Sequence, residues 1–162
     1  MIRLDGKVAI VTGGAQGVGG GISRCLARSG AKVLIADIDI ATAKNTSKEI
    51  NDSGSEACAL QVDVTSFDDL KNMIAVAQTE WGQLDILVNN AYNSSDAQRG
   101  GVLEVSEEQW QKDINSLVTS VYAGSKYAIP VMAETGGGSI VNISSVHGLL
   151  VARKAVTYET GK

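Results

Sequence analysis

The chain has 162 residues, 44% of them apolar, and a formal net charge of −4. That length suits one domain with a real core and is too short to argue for two. The acidic balance argues against nucleic acid or an anionic membrane surface as a partner.

From its start, "MIRLDGKVAIVTGG" reaches an apolar run without the long h-region and small-residue cleavage site of a signal peptide, and no run approaches membrane-spanning length. A cytoplasmic protein is expected. The first strand spans Lys7 to Thr12 and enters a glycine-rich turn, Thr12 to Gly20. A helix follows, with Val18, Ile22, Cys25 and Leu26 on one face and Gly30 closing it. The second strand is Lys32 to Asp37, a helix begins near Ile40, and the third strand is Ala57 to Val62. Ser66 with Asp69 starts a helix like a capping box, placing Leu70, Met73, Ile74 and Ala77 inward. The fourth strand is Asp85 to Asn90. Ser106 with Gln109 opens a long helix to about Glu134, with Trp110, Ile114, Leu117, Val118 and Val121 inward. A Gly/Ser turn, Thr135 to Ser139, leads to the fifth strand, Ser139 to Ser144.

Continuous β-branched runs of this kind predict buried parallel strands. Alternating with helices, they predict an α/β fold: a doubly wound parallel sheet with helices on both faces, in a single domain over 1–162. Cys25 and Cys58 lie in apolar patterns and read as reduced core thiols. His147 is the only histidine, and no metal cluster can be built around it.

The turn after the first strand carries the chemistry. No Gly-Lys-Ser/Thr ending is present, which argues against phosphoryl transfer. G-x-G-x-x-G also fails, since Ile22 stands where its third glycine belongs. G-x-x-x-G-x-G fits, through Gly13, Gly17 and Gly19. Glycines at a strand-to-helix turn let backbone approach a pyrophosphate, which the helix N-terminus favours; the competing reading is a tight turn with no ligand. Asp37 ends the next strand about 20 residues on, where a carboxylate accepts from a ribose 2′-OH. It could also cap the helix near Ile40. A carboxylate there repels the 2′-phosphate of NADP, and Gln16 offers no cation for it, so NAD is expected over NADP.

At this point the sequence resembles the short-chain dehydrogenase/reductase family, from Lys7 onward. The motifs, in order, are Thr12 to Gly19, Asp63-Val64, Asn89-Asn90-Ala91-Tyr92, Asn115, Ser145, and Tyr158 with Lys162. The resemblance implies a Rossmann-type sheet. It implies cofactor contacts from Thr12, Gly13, Gln16, Gly17, Val18 and Gly19, from Asp37 and Ile38, from Asp63 and Val64 around the adenine, and from Asn90 and Ala91. Tyr92 departs from the pattern, standing where the family has glycine, so a ring either narrows the site or turns away. Ser144 and Ser145 compete for one place, and the family's spacing to the tyrosine selects Ser145.

The resemblance further implies hydride transfer between NAD(H) and a secondary alcohol or ketone. Tyr158 would be the general acid/base, Lys162 would favour its phenolate and hold the nicotinamide ribose, Ser145 would donate to the substrate oxygen, and Asn115 would anchor a water in the proton relay. Tyr158 and Lys162 are four apart, so a helix puts them on one face. His147 either lines the substrate pocket or sits exposed in a loop. A dinucleotide-binding module without turnover is the alternative. A homodimer or homotetramer is implied for the complete enzyme. Because the sequence stops at Lys162, the resemblance also implies that the family's last strands are missing and that the active-site helix is cut short, with impaired turnover expected.

Overall fold

A computed structural model describes residues 3–92, 100–150 and 153–162. In it, the strands β1 (Val8–Thr12), β2 (Lys32–Asp37), β3 (Ala57–Gln61), β4 (Ile86–Asn89) and β5 (Ser139–Asn142) form one sheet in the order β3-β2-β1-β4-β5. Every pairing is parallel. The helices are α1 (Gly17–Arg28), α2 (Ile40–Asp52), α3 (Phe67–Trp81), α4 (Glu107–Ile114), α5 (Ser120–Glu134) and α6 (Val156–Gly161). This is the doubly wound α/β arrangement the sequence predicts. The chain runs outward from β1 to β3, then crosses back to lay β4 on the other side of β1. A crevice opens at that switch point, beyond the carboxyl ends of the strands.

The period of two along each strand divides the core. Val8 and Ile10 of β1, Leu34 and Ala36 of β2 and Leu87 of β4 face α3 and α5, meeting Leu70, Met73, Ile74, Ala77 and Met132. Ala9, Val11, Val33, Ile35 and Val88 face α1 and α2, meeting Ala27, Ala43 and Ile50. Central strands covered on both faces explain the unbroken apolar runs. β5 is a sheet edge on which Ser139, Val141 and Asn142 are exposed.

Asp85 fastens β4 to β1 at the opposite end of the sheet. Its carboxylate accepts from Val8 N at 2.9 Å, Lys7 Nζ at 2.8 Å and Gln83 Nε2 at 2.7 Å. Burial pushes this carboxyl up, but the Lys7 ammonium and the two further donors outweigh it and hold the group below its ordinary value of 3.8.

Two helix faces differ from the sequence reading. On α1 the buried residues are Gly19, Gly20, Ser23 and Ala27, while Val18 is 69% exposed and Cys25 is exposed rather than a core thiol. Small residues let this helix lie close to the sheet, and Ser23 Oγ donates to Gly14 O at 3.0 Å. The α3 reading holds: Leu70, Met73, Ile74 and Ala77 are all buried, and Ser66 Oγ accepts from Asp69 N. The long helix is interrupted by a π turn, Asn115–Thr119, and its buried stripe is Asp113, Ser116, Leu117, Ser120, Ala123 and Gly124. Trp110 and Val118, expected inward, are 38% and 44% exposed.

Candidate active site

A cleft of about 1350 Å³ runs along the crevice from the glycine turn to α6. Its floor is set by bonds between the ends of β1 and β4. Thr12 Oγ1 donates to Val88 O at 3.3 Å and accepts from Asn90 N at 3.0 Å and Ala91 N at 3.1 Å. Asn90 Nδ2 donates to Thr12 O at 3.0 Å and Gly13 O at 3.1 Å. Thr12 is 3% exposed, stands outside the cleft lining and acts as a strut beneath it.

The three glycines divide their work. A Cβ on Gly13 would come within 2.9 Å of Ala91 Cα, and one on Gly19 would collide with the Gly13 carbonyl and with Asn90 Nδ2. Those two glycines let the turn nest against the loop after β4. Gly17, at φ +56°, would meet nothing on the cleft side. Its neighbour Gln16, the N-cap of α1, makes no side-chain capping bond, so the first-turn N–H groups keep their affinity for an anion.

Asp37 bonds its own surroundings: Oδ2 accepts from Ala15 N at 3.0 Å and Oδ1 from Asp39 N at 3.1 Å. Asp39, not Asp37, caps α2, accepting from Ala41 N and Thr42 N. Asp37, Asp39 and Asp63 put three carboxylates at this end of the cleft, joined by Ile38 and Val64. Asp63 Oδ1 accepts from Thr65 N and Oγ1.

At the other end stand Asn115, Tyr158 and Lys162. Lys162 Nζ donates to Ile143 O at 2.8 Å and lies 5.9 Å from the centre of the Tyr158 ring. Burial pushes this ammonium below its ordinary value. Leu117 fills the space over Gly161, where any Cβ would stand 2.6 Å from its own. Asn115 Oδ1 accepts from Gln111 Nε2 at 3.0 Å and Thr119 Oγ1 at 3.3 Å, and its main-chain carbonyl accepts from Ser120 N across the π turn. Such turns recur at functional sites.

Ser145 stands outside the lining. It caps a 3₁₀ turn, Val146–Gly148, its Oγ accepting from His147 N at 3.2 Å. Ser144 lines the cleft instead and donates to Lys162 O at 2.6 Å. Of the expected site residues, Thr12 and Ser145 alone fall outside the lining.

Tyr92 turns toward the site. Its ring centre lies 4.8 Å from that of Tyr158, tilted by 49°, and His147 approaches Tyr158 edge-on at 5.8 Å. Burial, then the Asp113 carboxylate and Tyr158, push the Tyr92 phenol up. Among the lining residues that the sequence reading passed over are Asp113 and Ser116. Their signal was the spacing Gln109, Asp113, Ser116, Ser120, a polar stripe with the period of an inward helix face.

The family model described as short chain dehydrogenase matches residues 7–162. The chain belongs to the short-chain dehydrogenase family. A family member from Sphingobium indicum, 2,5-dichloro-2,5-cyclohexadiene-1,4-diol dehydrogenase, is 38% identical over 156 residues, covering 96% of this chain and 61% of its own length. Cyclopentanol dehydrogenase of a Comamonas species is 35% identical, covering all of this chain and 64% of its own length. Among solved structures, a 7α-hydroxysteroid dehydrogenase in complex with NADH and 7-oxo glycochenodeoxycholic acid superimposes with a TM-score of 0.92 at 31% identity, covering 98% of this chain and 61% of the other. The chain thus spans a little over three fifths of the length of these relatives. Among the described residues no helix is long and apolar enough to cross a membrane, and no cluster of His, Cys, Asp or Glu could hold a metal.

Proposed function

We propose that this chain carries the cofactor cleft and reacting tyrosine of an NAD-dependent oxidoreductase, which moves hydride between NAD(H) and a cyclic secondary alcohol or its ketone. The observation that carries the reading is continuity: the glycine turn, Asp37 and the Tyr158–Lys162 pair line one cleft. The residues fit a dinucleotide. First-turn N–H groups of α1 suit the pyrophosphate, and Asp37 suits a ribose hydroxyl. The three carboxylates Asp37, Asp39 and Asp63 at that end of the cleft disfavour a 2′-phosphate, which supports NAD over NADP.

When bound, the nicotinamide accepts or supplies the hydride. The chain's own residues manage the proton and the geometry. Tyr158 exchanges a proton with the substrate oxygen at its phenolic hydroxyl. Lys162, anchored on Ile143 O, holds positive charge beside that ring. Asn115 and one of the two adjacent serines complete the polar set, with Ser145 favoured by the family's spacing and Ser144 by its place in the cleft lining. Relatives named for a cyclohexadiene diol, cyclopentanol and a 7α-hydroxysteroid share a ring-borne secondary hydroxyl, which supports the alicyclic substrate class. By resemblance the working unit is a homodimer or homotetramer in the cytoplasm.

Titration of NADH and NADPH, with turnover assayed on cyclopentanol, cyclohexanol and hydroxysteroids, tests the reading. NADH is expected to bind more tightly, and Asp37→Ser to narrow the gap. Tyr158→Phe is expected to lower turnover about 10²–10⁴-fold with NADH binding retained. Tighter NADPH binding overturns the cofactor choice. Binding without turnover of any alcohol favours the rival reading, a dinucleotide-binding module.

A further inference from the structure

We propose that Tyr92 sets substrate size at the reacting end, admitting an unfused ring and turning away alcohols whose reacting carbon adjoins a ring fusion, an inference that rests on the oxidoreductase reading above. Tyr92 follows β4 closely, at the place where the family has glycine. The backbone that carries it is pinned: Ala91 N donates to Thr12 Oγ1 at 3.1 Å, and Ala91 Cα lies 2.9 Å from the point that a Cβ on Gly13 would occupy. The half-buried ring has its centre 4.8 Å from that of Tyr158. His147 also packs on Tyr158, but Tyr92 lines the cleft and His147 does not. Burial, with the Asp113 carboxylate and Tyr158, pushes the Tyr92 phenol up, which keeps this wall uncharged at neutral pH.

Distance decides what can pass. Carbon atoms in contact lie about 3.5–4.0 Å apart, so a substrate ring lying between two others needs their centres about 7 Å apart. At 4.8 Å no ring fits between Tyr92 and Tyr158. The substrate oxygen must still come within about 2.6–3.2 Å of the Tyr158 hydroxyl to exchange a proton. The substrate therefore enters beside Tyr92 rather than over the part of Tyr158 that Tyr92 covers, and the carbons flanking the reacting carbon come nearest to that wall. A methylene at such a place gains an apolar contact. A ring-fusion carbon carries a further branch, which a pinned aromatic ring does not yield to. One methylene more or less in an apolar pocket changes discrimination about 10–200-fold, so an aromatic ring in place of a hydrogen has ample power to select by size.

The test measures, by calorimetry, the binding of NAD and then of two ketones to the NAD-loaded chain, where no hydride is available to reduce them. The ketones are cyclohexanone and α-decalone, a fused bicycle with a ring-fusion carbon beside its carbonyl. The wild type is expected to bind cyclohexanone more tightly. Tyr92→Gly should weaken cyclohexanone and tighten α-decalone, moving their affinity ratio about tenfold or more. Tyr92→Phe should leave the ratio within about twofold, since the ring and not its hydroxyl forms the wall. Tyr92→Trp should move the ratio about threefold the other way, which decides the matter if Tyr92→Gly fails to fold. NAD affinity should hold within about twofold throughout. A wild type that prefers α-decalone, a ratio that neither Tyr92→Gly nor Tyr92→Trp moves, or a loss of NAD and both ketones in step overturns the size role alone; the last result would make Tyr92 a brace for Tyr158. A wild type that binds NAD but neither ketone overturns the alcohol and ketone reading, and one that binds no NAD overturns the dinucleotide reading; the size role falls with either.

Discussion

The two ends of the cleft are built on opposite plans. At the glycine turn, the side chains of Thr12, Asn90 and Asp37 bond the local backbone, and the glycines are packed tightly enough that Gly13 and Gly19 admit no Cβ. At the reacting end, β5 is an exposed edge, and α6 has six residues held by Ser144, the Lys162 ammonium and the Leu117–Gly161 contact. Two buried polar atoms there are unpartnered among the described residues. On the proposed reading, a binding cradle gains from rigidity set in advance, since a pyrophosphate is the same in every reaction. A reacting end holds its polar capacity for the ligand, and tolerates local cost to do so.

Three substitutions probe that contrast. The largest effect is expected in the cradle. Gly19→Ala should lower unfolding free energy by about 3 kcal/mol in urea titrations, because the clash is with backbone that cannot yield. Gly17→Ala should cost only about 1 kcal/mol, the strain of a left-handed residue in open space. Equal losses would mean that the turn is not divided between packing and ligand. At the reacting end, Gly161→Ala should cost about 2 kcal/mol by crowding Leu117. Combined with Leu117→Gly, which removes the Cβ at 2.6 Å as well as the branched end, the loss should fall short of the sum of the single changes by about 1 kcal/mol. Strict additivity in denaturation would show that the contact does not hold α6.

A pH-dependent effect lies outside both ends, at Asp85. Its folded pKa lies below 3.8, so its stabilisation is fully present above that pH and is lost as pH falls through the folded value. Asp85→Asn should cost about 1.5 kcal/mol at neutral pH and flatten the acid limb of the stability profile. An unchanged acid limb would place that sensitivity elsewhere.

The fold and the order of the site were legible because they follow from local rules. Continuous apolar runs specified central parallel strands, Ser66 and Ser106 announced helix starts, and the spacing of Gly13, Gly17 and Gly19 marked the turn. Three-dimensional packing decided what those rules leave free. Apolar residues on α1 and on the π turn between α4 and α5 suggested inward faces, yet the buried residues are Gly20, Ser23 and Ala27 on one and Ser116, Leu117 and Ser120 on the other, leaving Val18 and Val118 partly to solvent. Whether Asp37 or Asp39 caps α2, and whether Ser144 or Ser145 faces the cleft, turns on a single residue of register at a strand end, which composition does not specify. The sequence by itself determined the sheet, its winding and the neighbourhood of the cleft, since periodicity and turn chemistry act over a few residues. Only the tertiary structure decided that Tyr92 packs on Tyr158 and that Asp113 and Ser116 face the cavity, because those contacts join segments whose approach depends on how the whole sheet and its helices close around the crevice.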